Sequence, residues 1–144
     1  TYDGKFSNLE VDKLYTKEKI LNISTNQTLS SFDSGSFIFT DSSSADLTIT
    51  LPSSISGAHY KFIAKSVNDS YGLTIISDST IYGNVLSYDS SPIQSSYVST
   101  SGTTLVLKTL GLNTFSIGSK ISFIGDGTSY YISDDSVSCP IIFS

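Results

Sequence analysis

Arginine, methionine and tryptophan are missing from this chain, and cysteine and histidine occur once each, as Cys139 and His59. Without arginine there is no planar fork for bidentate phosphate contacts. The 8 Lys form no basic run, and 13 acidic residues bring the net charge to −5. Nucleic-acid binding, which draws on counterion release, is therefore disfavoured, and an anionic membrane surface would repel the chain. A single cysteine excludes an intrachain disulfide. One Cys with one His cannot supply the four ligands of a structural zinc site. Ala, Glu and Gln occur 3, 2 and 2 times, so good helix formers are scarce and helical enzymes and coiled coils drop out. The longest apolar runs, such as 140–143, fall far short of the ~20 residues that span a bilayer. A chain that starts at Thr1 and holds no Met reads as a fragment or a processed product, with any targeting segment upstream of it.

What is present is β-forming. Val, Ile, Leu and Phe make up 42 of the 144 residues, alongside 31 Ser and 15 Thr. That apolar share, about 29%, lies above the ~20% below which chains stay disordered, and it suffices for one core. Leu47-Thr48-Ile49-Thr50-Leu51 alternates strictly and stops at Pro52. Further period-two runs lie at 37–40, 59–64, 73–76, 103–108, 120–124 and 129–133. Turn chemistry separates them: Ser56-Gly57, 68–72, 100–102 and Gly125-Asp126-Gly127-Thr128. Short strands at this spacing indicate an all-β sandwich or barrel. No window carries a helical stripe.

Residues 1–30 differ. Phe6, Leu9, Val11, Leu14, Ile20 and Ile23 are spaced among polar residues in the most charged stretch of the chain. They are too few for a separate core. Two readings stand open: an arm lying along the domain or left partly disordered, or a shaft whose copies wrap around one another and bury Leu9, Val11, Leu14 and Ile20. Residues 84–101 are the longest stretch of weak β signal and read as a loop. Loops of that length are often functional, and Tyr88, Asp89, Gln94 and Tyr97 in it, with Tyr71 in the 68–72 turn, are candidate contact residues.

Candidates for chemistry are poor. The pair Asp134-Asp135, with Asp126 upstream, offers carboxylates that could hydrolyse glycosides or hold Ca²⁺, but Asp-Gly and Asp-Asp-Ser are ordinary turn sequences. His59 lies in an alternating run without a nucleophile elbow and reads as structural. Cys139 has no cationic neighbour to activate it. The expectation is a protein that is not an enzyme and carries no cofactor or metal. Asn22, Asn26 and Asn68 open glycosylation-type triplets, which chance supplies freely in a chain this rich in Ser and Thr.

The order of the segments carries a resemblance. Leu9-Glu10-Val11-Asp12-Lys13-Leu14 is followed by a strand ending in Leu51-Pro52, then Gly57-x-x-Tyr60-x-Phe62-Ile63 and Ile81-Tyr82-Gly83. Last come Thr104-Leu105-x-Leu107 and Ile121-x-Phe123-Ile124-Gly125-Asp126-Gly127-Thr128-Ser129-Tyr130-Tyr131-Ile132. Over residues 9–133 this resembles the C-terminal head domains of viral and bacteriophage fibre or tail proteins, with Tyr130 where Trp is commoner. The resemblance implies a homotrimer on the virion surface: a short extended β shaft over 1–30, then an antiparallel, jelly-roll-like β-sandwich head over 31–144. It implies attachment to a host surface glycan or protein receptor, other virion proteins joined through a region before Thr1, and no catalytic residues. The alternative is a monomeric carbohydrate-binding module or adhesin of a cell surface, with aromatics converging on one face.

Overall fold

Leu47, Ile49 and Leu51 are buried while Thr48 and Thr50 between them are half-buried, as alternation around a one-sided core demands. The computed structural model describes residues 18–88, 95–107, 116–136 and 141–143. They are all-β. The strands are β1 (Ile20–Ile23), β2 (Gln27–Thr28), β3 (Phe37–Asp41), β4 (Leu47–Thr50), β5 (His59–Ser66), β6 (Leu73–Tyr88), β7 (Ser95–Leu107), β8 (Lys120–Gly125), β9 (Tyr130–Ser136) and β10 (Ile141–Phe143). One 3-10 turn, Ser31–Asp33, interrupts them.

The chain coils. It lays β1, β3 and β5 side by side in one wall and β2, β4 and β6 in another, and every ladder within these two stacks is parallel. β8 then adds antiparallel to β5, and β9 antiparallel to β8. Tyr130 and Tyr131 of β9 close onto Ile81 and Tyr82 of β6. The path β1-β3-β5-β8-β9-β6-β4-β2 thus ends on two strands that are consecutive in sequence, so the sheet is nearly closed. β7 lies antiparallel along β6, and β10 along β7. The expectation of antiparallel pairing throughout is corrected: the sheet is mixed. Within the two stacks each parallel partner is reached through a crossover, and here the crossover is a strand of the opposite wall.

In-register columns fill the space between the walls. Leu21, Ile38, Phe62 and Ile121 face one another across four strands; Leu47, Leu73 and Leu107 do so across three. Phe62 and Phe123 meet edge to face at 5.8 Å. Ile23 and Leu29 belong to the same core, so residues 20–29 contribute to the sheet that the later strands build.

Two rims carry the loops. At one, which we call the entry rim because β3 and β5 start there, segments 29–36, 51–58, 77–80 and 125–129 interlock. Gly35 N–H donates to the His59 carbonyl at 2.9 Å, and Gly57 N–H to that of Gly125 at 2.9 Å. Ser54 Oγ donates to the Ser129 carbonyl at 2.8 Å, and Ser53 Oγ to Asp78 at 2.6 Å. The far rim holds 24–26, 42–46, 67–72 and 116–119, tied by Gly72 N–H to Asp46 at 2.8 Å and Thr48 N–H to Asn26 at 2.8 Å.

Two buried tyrosines pin the entry rim. The Tyr60 hydroxyl donates to the Ser30 carbonyl at 3.2 Å and that of Tyr130 to Pro52 at 3.0 Å, with the rings edge to face at 6.2 Å. Burial raises both hydroxyls above the ordinary tyrosine value, because desolvation penalises the phenolate. Raised values stabilise the fold fully below the unfolded pKa of about 10 and lose that stability as pH climbs through the folded values. The urea midpoint is therefore expected to be flat near neutrality and to fall above about pH 10. Tyr130→Phe should lose about 1 kcal/mol at pH 7, as its hydrogen bond goes, yet show a shallower alkaline decline. An unchanged alkaline limb in this variant would refute the assignment.

Candidate contact surface

Of the residues singled out for trimer contacts, Leu9, Val11 and Leu14 lie outside the described residues, as do Asp89, Gln94 and Cys139. Ile20 opens β1 opposite Phe37 and is 58% exposed. Tyr71 sits half-buried at the far rim, its N–H donating to the Asn68 carbonyl at 3.1 Å. Tyr88 ends β6 opposite Ser95, and Tyr97 of β7 faces Leu86. Tyr71 and Tyr88 therefore flank opposite ends of β6.

The loop expected over 84–101 is corrected on its described residues. Residues 84–88 and 95–100 are two arms of a hairpin, paired from Asn84↔Ser99 to Tyr88↔Ser95. Beyond Tyr82, β6 has no described strand partner but β7. Period-two hydrophobicity reports burial of one face, and a two-stranded ribbon imposes no such pattern.

The aspartates divide. Asp126 forms the expected β8–β9 turn: its Oδ1 accepts the N–H of Thr128 at 2.8 Å and of Ser129 at 2.7 Å, and Gly127 takes φ +98°. These backbone donors hold its carboxyl below the usual range, while the Tyr131 hydroxyl, bonded to the same carboxylate, is pushed up. Asp134 and Asp135 are not in a turn. They pair with Ser122 and Ile121 inside β9, where successive positions alternate between faces. No three His, Cys, Asp or Glu side chains among the described residues group to hold a metal.

His59 is exposed at the start of β5, its N–H donating to Ser34 Oγ at 3.1 Å. Among the glycosylation-type triplets, Asn22 accepts from Lys65 Nζ at 3.3 Å, and Asn26 and Asn68 accept backbone N–H groups. These asparagines have structural work.

The structure adds a surface that residue-by-residue reading passed over. His59, Ile124, Tyr131, Tyr82 and Ser101 lie in register across five strands, all on the solvent face. Tyr82 and Tyr131 stack at 5.4 Å with ring planes 21° apart. Ile55 lies in the adjoining rim loop, and Phe32, in the 3-10 turn, is 88% exposed. One signal was available: Tyr130 and Tyr131 are neighbours on a strand, so one had to turn outward.

No family model matches this chain, and no curated protein matches it. The contact surface is therefore read from its chemistry alone.

Proposed function

We propose that this chain is the trimeric head of a virion fibre or tail protein, presenting loops to a host-surface receptor or glycan. In this reading the two walls form a sandwich-like head, and the segment before β1 belongs to a shaft in which Leu9, Val11 and Leu14 face neighbouring copies. The observation that carries it is the β6–β7 arm. From Asn84 to Tyr88, β6 has only β7 as a described strand partner, and such two-stranded ribbons are marginal alone in water. A hairpin of that kind is suited to meet a partner, and its described arms hold Tyr88 and Tyr97.

Light scattering on the purified chain is expected to give three times the chain mass of 15.4 kDa. Val11→Asp with Leu14→Asp should reduce that mass. Tyr88→Ala with Tyr97→Ala should weaken binding to host cells while leaving the melting temperature almost unchanged. A monomeric wild type that still binds glycans would favour a cell-surface carbohydrate-binding module.

A further inference from the structure

Asp-Gly occurs twice in this chain, at 3–4 and at 126–127, and the first lies outside the described residues. The dipeptide is chemically labile. The glycine N can attack the aspartate Cγ, because glycine has no Cβ to hinder the approach. The N–H gives up its proton, the protonated carboxyl gives up its hydroxyl, and the two leave as water while a succinimide ring closes. A second water opens the ring at either carbonyl. One opening restores aspartate. The other gives isoaspartate, whose main chain runs through Cβ and Cγ and is one carbon longer.

We propose that Asp126-Gly127 is a latent site of this isomerisation, held silent by Ser54 and by the bonds around the β8–β9 turn. The nucleophile is occupied. Gly127 N–H donates to Ser54 Oγ at 3.3 Å, and that hydroxyl donates onward to the Ser129 carbonyl at 2.8 Å. The electrophile is occupied too. Asp126 Oδ1 accepts the N–H groups of Thr128 at 2.8 Å and Ser129 at 2.7 Å, and the Tyr131 hydroxyl bonds the same carboxylate. Such donors favour the ionised carboxyl, whereas ring closure draws on the protonated one. Rotation of the backbone into an attacking geometry is also opposed. Asp126 N–H donates to the Ser129 carbonyl at 3.0 Å, and the Gly125 carbonyl accepts the Gly57 N–H at 2.9 Å. Ser54 is buried and comes from a distant part of the chain, so the shield lasts only while the 54–58 loop stays docked. Isoaspartate at 126 would lengthen the turn by one atom and displace Tyr130 and Tyr131 behind it.

The test incubates the whole chain at neutral pH and follows isoaspartate by peptide mapping with electron-transfer fragmentation, which locates it at single residues. Wild type, Ser54→Ala and Tyr131→Phe are compared in native buffer, with wild type in concentrated urea as the unshielded reference. Native wild type is expected to form isoaspartate at 126 at least about ten-fold more slowly than the urea sample, because local opening governs access. Ser54→Ala should be about ten-fold faster than native wild type, roughly what one hydrogen bond contributes to such an opening. Tyr131→Phe, at an exposed position that leaves the core untouched, should show a smaller rise. It decides the matter if circular dichroism finds Ser54→Ala unfolded. Equal rates at 126 in native buffer and in urea would overturn the shield. A folded Ser54→Ala and a Tyr131→Phe that both keep the wild-type rate would overturn it as well.

Discussion

Gly125→Ala is expected to destabilise the domain by about 3 kcal/mol, the upper range for forcing an atom into a packed site. A methyl group there would stand 2.6 Å from the Ile55 carbonyl oxygen and 2.8 Å from Ser54 Oγ. Neither neighbour can retreat cheaply. Ser54 is tied to the Ser129 carbonyl, while Gly125 gives its N–H to Ala58 at 2.8 Å and receives that of Gly57 at 2.9 Å. Relieving the clash means parting the end of β8 from the 54–58 loop and breaking these bonds. Gly83→Ala is the informative contrast. Its methyl would meet mainly the Cδ1 end of Ile132, a side chain that can change rotamer, so the loss should be clearly smaller. Equal urea midpoints for the two variants would show that the Gly125 contact is not the constraint described.

Phe123→Ala should cost about 4 kcal/mol, within the range for removing a fully buried ring. Phe123 has no solvent exposure and packs edge to face on Phe62. Through its ladder it also backs Tyr60 on one side and Ile132 on the other, so the cavity would open where three strands meet. Ile117→Ala, 69% exposed at the far rim, should stay within about 0.5 kcal/mol of wild type. Urea titration of both variants checks the pair. A loss below about 1.5 kcal/mol for Phe123→Ala would mean that the site collapses freely around the missing ring.

Much of this fold is written locally. The runs at 37–40, 47–51, 59–64, 73–76 and 120–124 are strands, and Asp126-Gly127 turns the chain as its composition predicts. The pairing direction is not written there. Ile38 would be buried identically beside a parallel or an antiparallel neighbour, and only its partner, Phe62, reveals which it is. The outward patch was hidden for a related reason. Ile124 next to Phe123, and Tyr131 next to Tyr130, look equally apolar in sequence, and burial separates them only after the register is known. Phe32 gave no signal because it sits among serines in a rim loop, outside any strand pattern. The paired arms 84–88 and 95–100 show the converse case: their ladder is regular, while their residues carry no alternation to announce it.

The coiled order of the strands also bears on how quickly the native state is reached. Ile20 must find Phe37, Phe37 must find Lys61, and Tyr82 must find Tyr131, so these ladders close large loops before they gain any contact. Chains dominated by such distant pairings fold slowly, in milliseconds to seconds. Two ladders are exceptions, because β8–β9 and the outer part of β6–β7 join neighbours across short connections. They are the natural places for structure to begin. β5 can then dock on β8, and the earlier strands can add in reverse chain order, with β1 and β2 last. Until they do, the edges of β3 and β4 stay unpaired, and a crowded preparation would be most prone to aggregate at that stage.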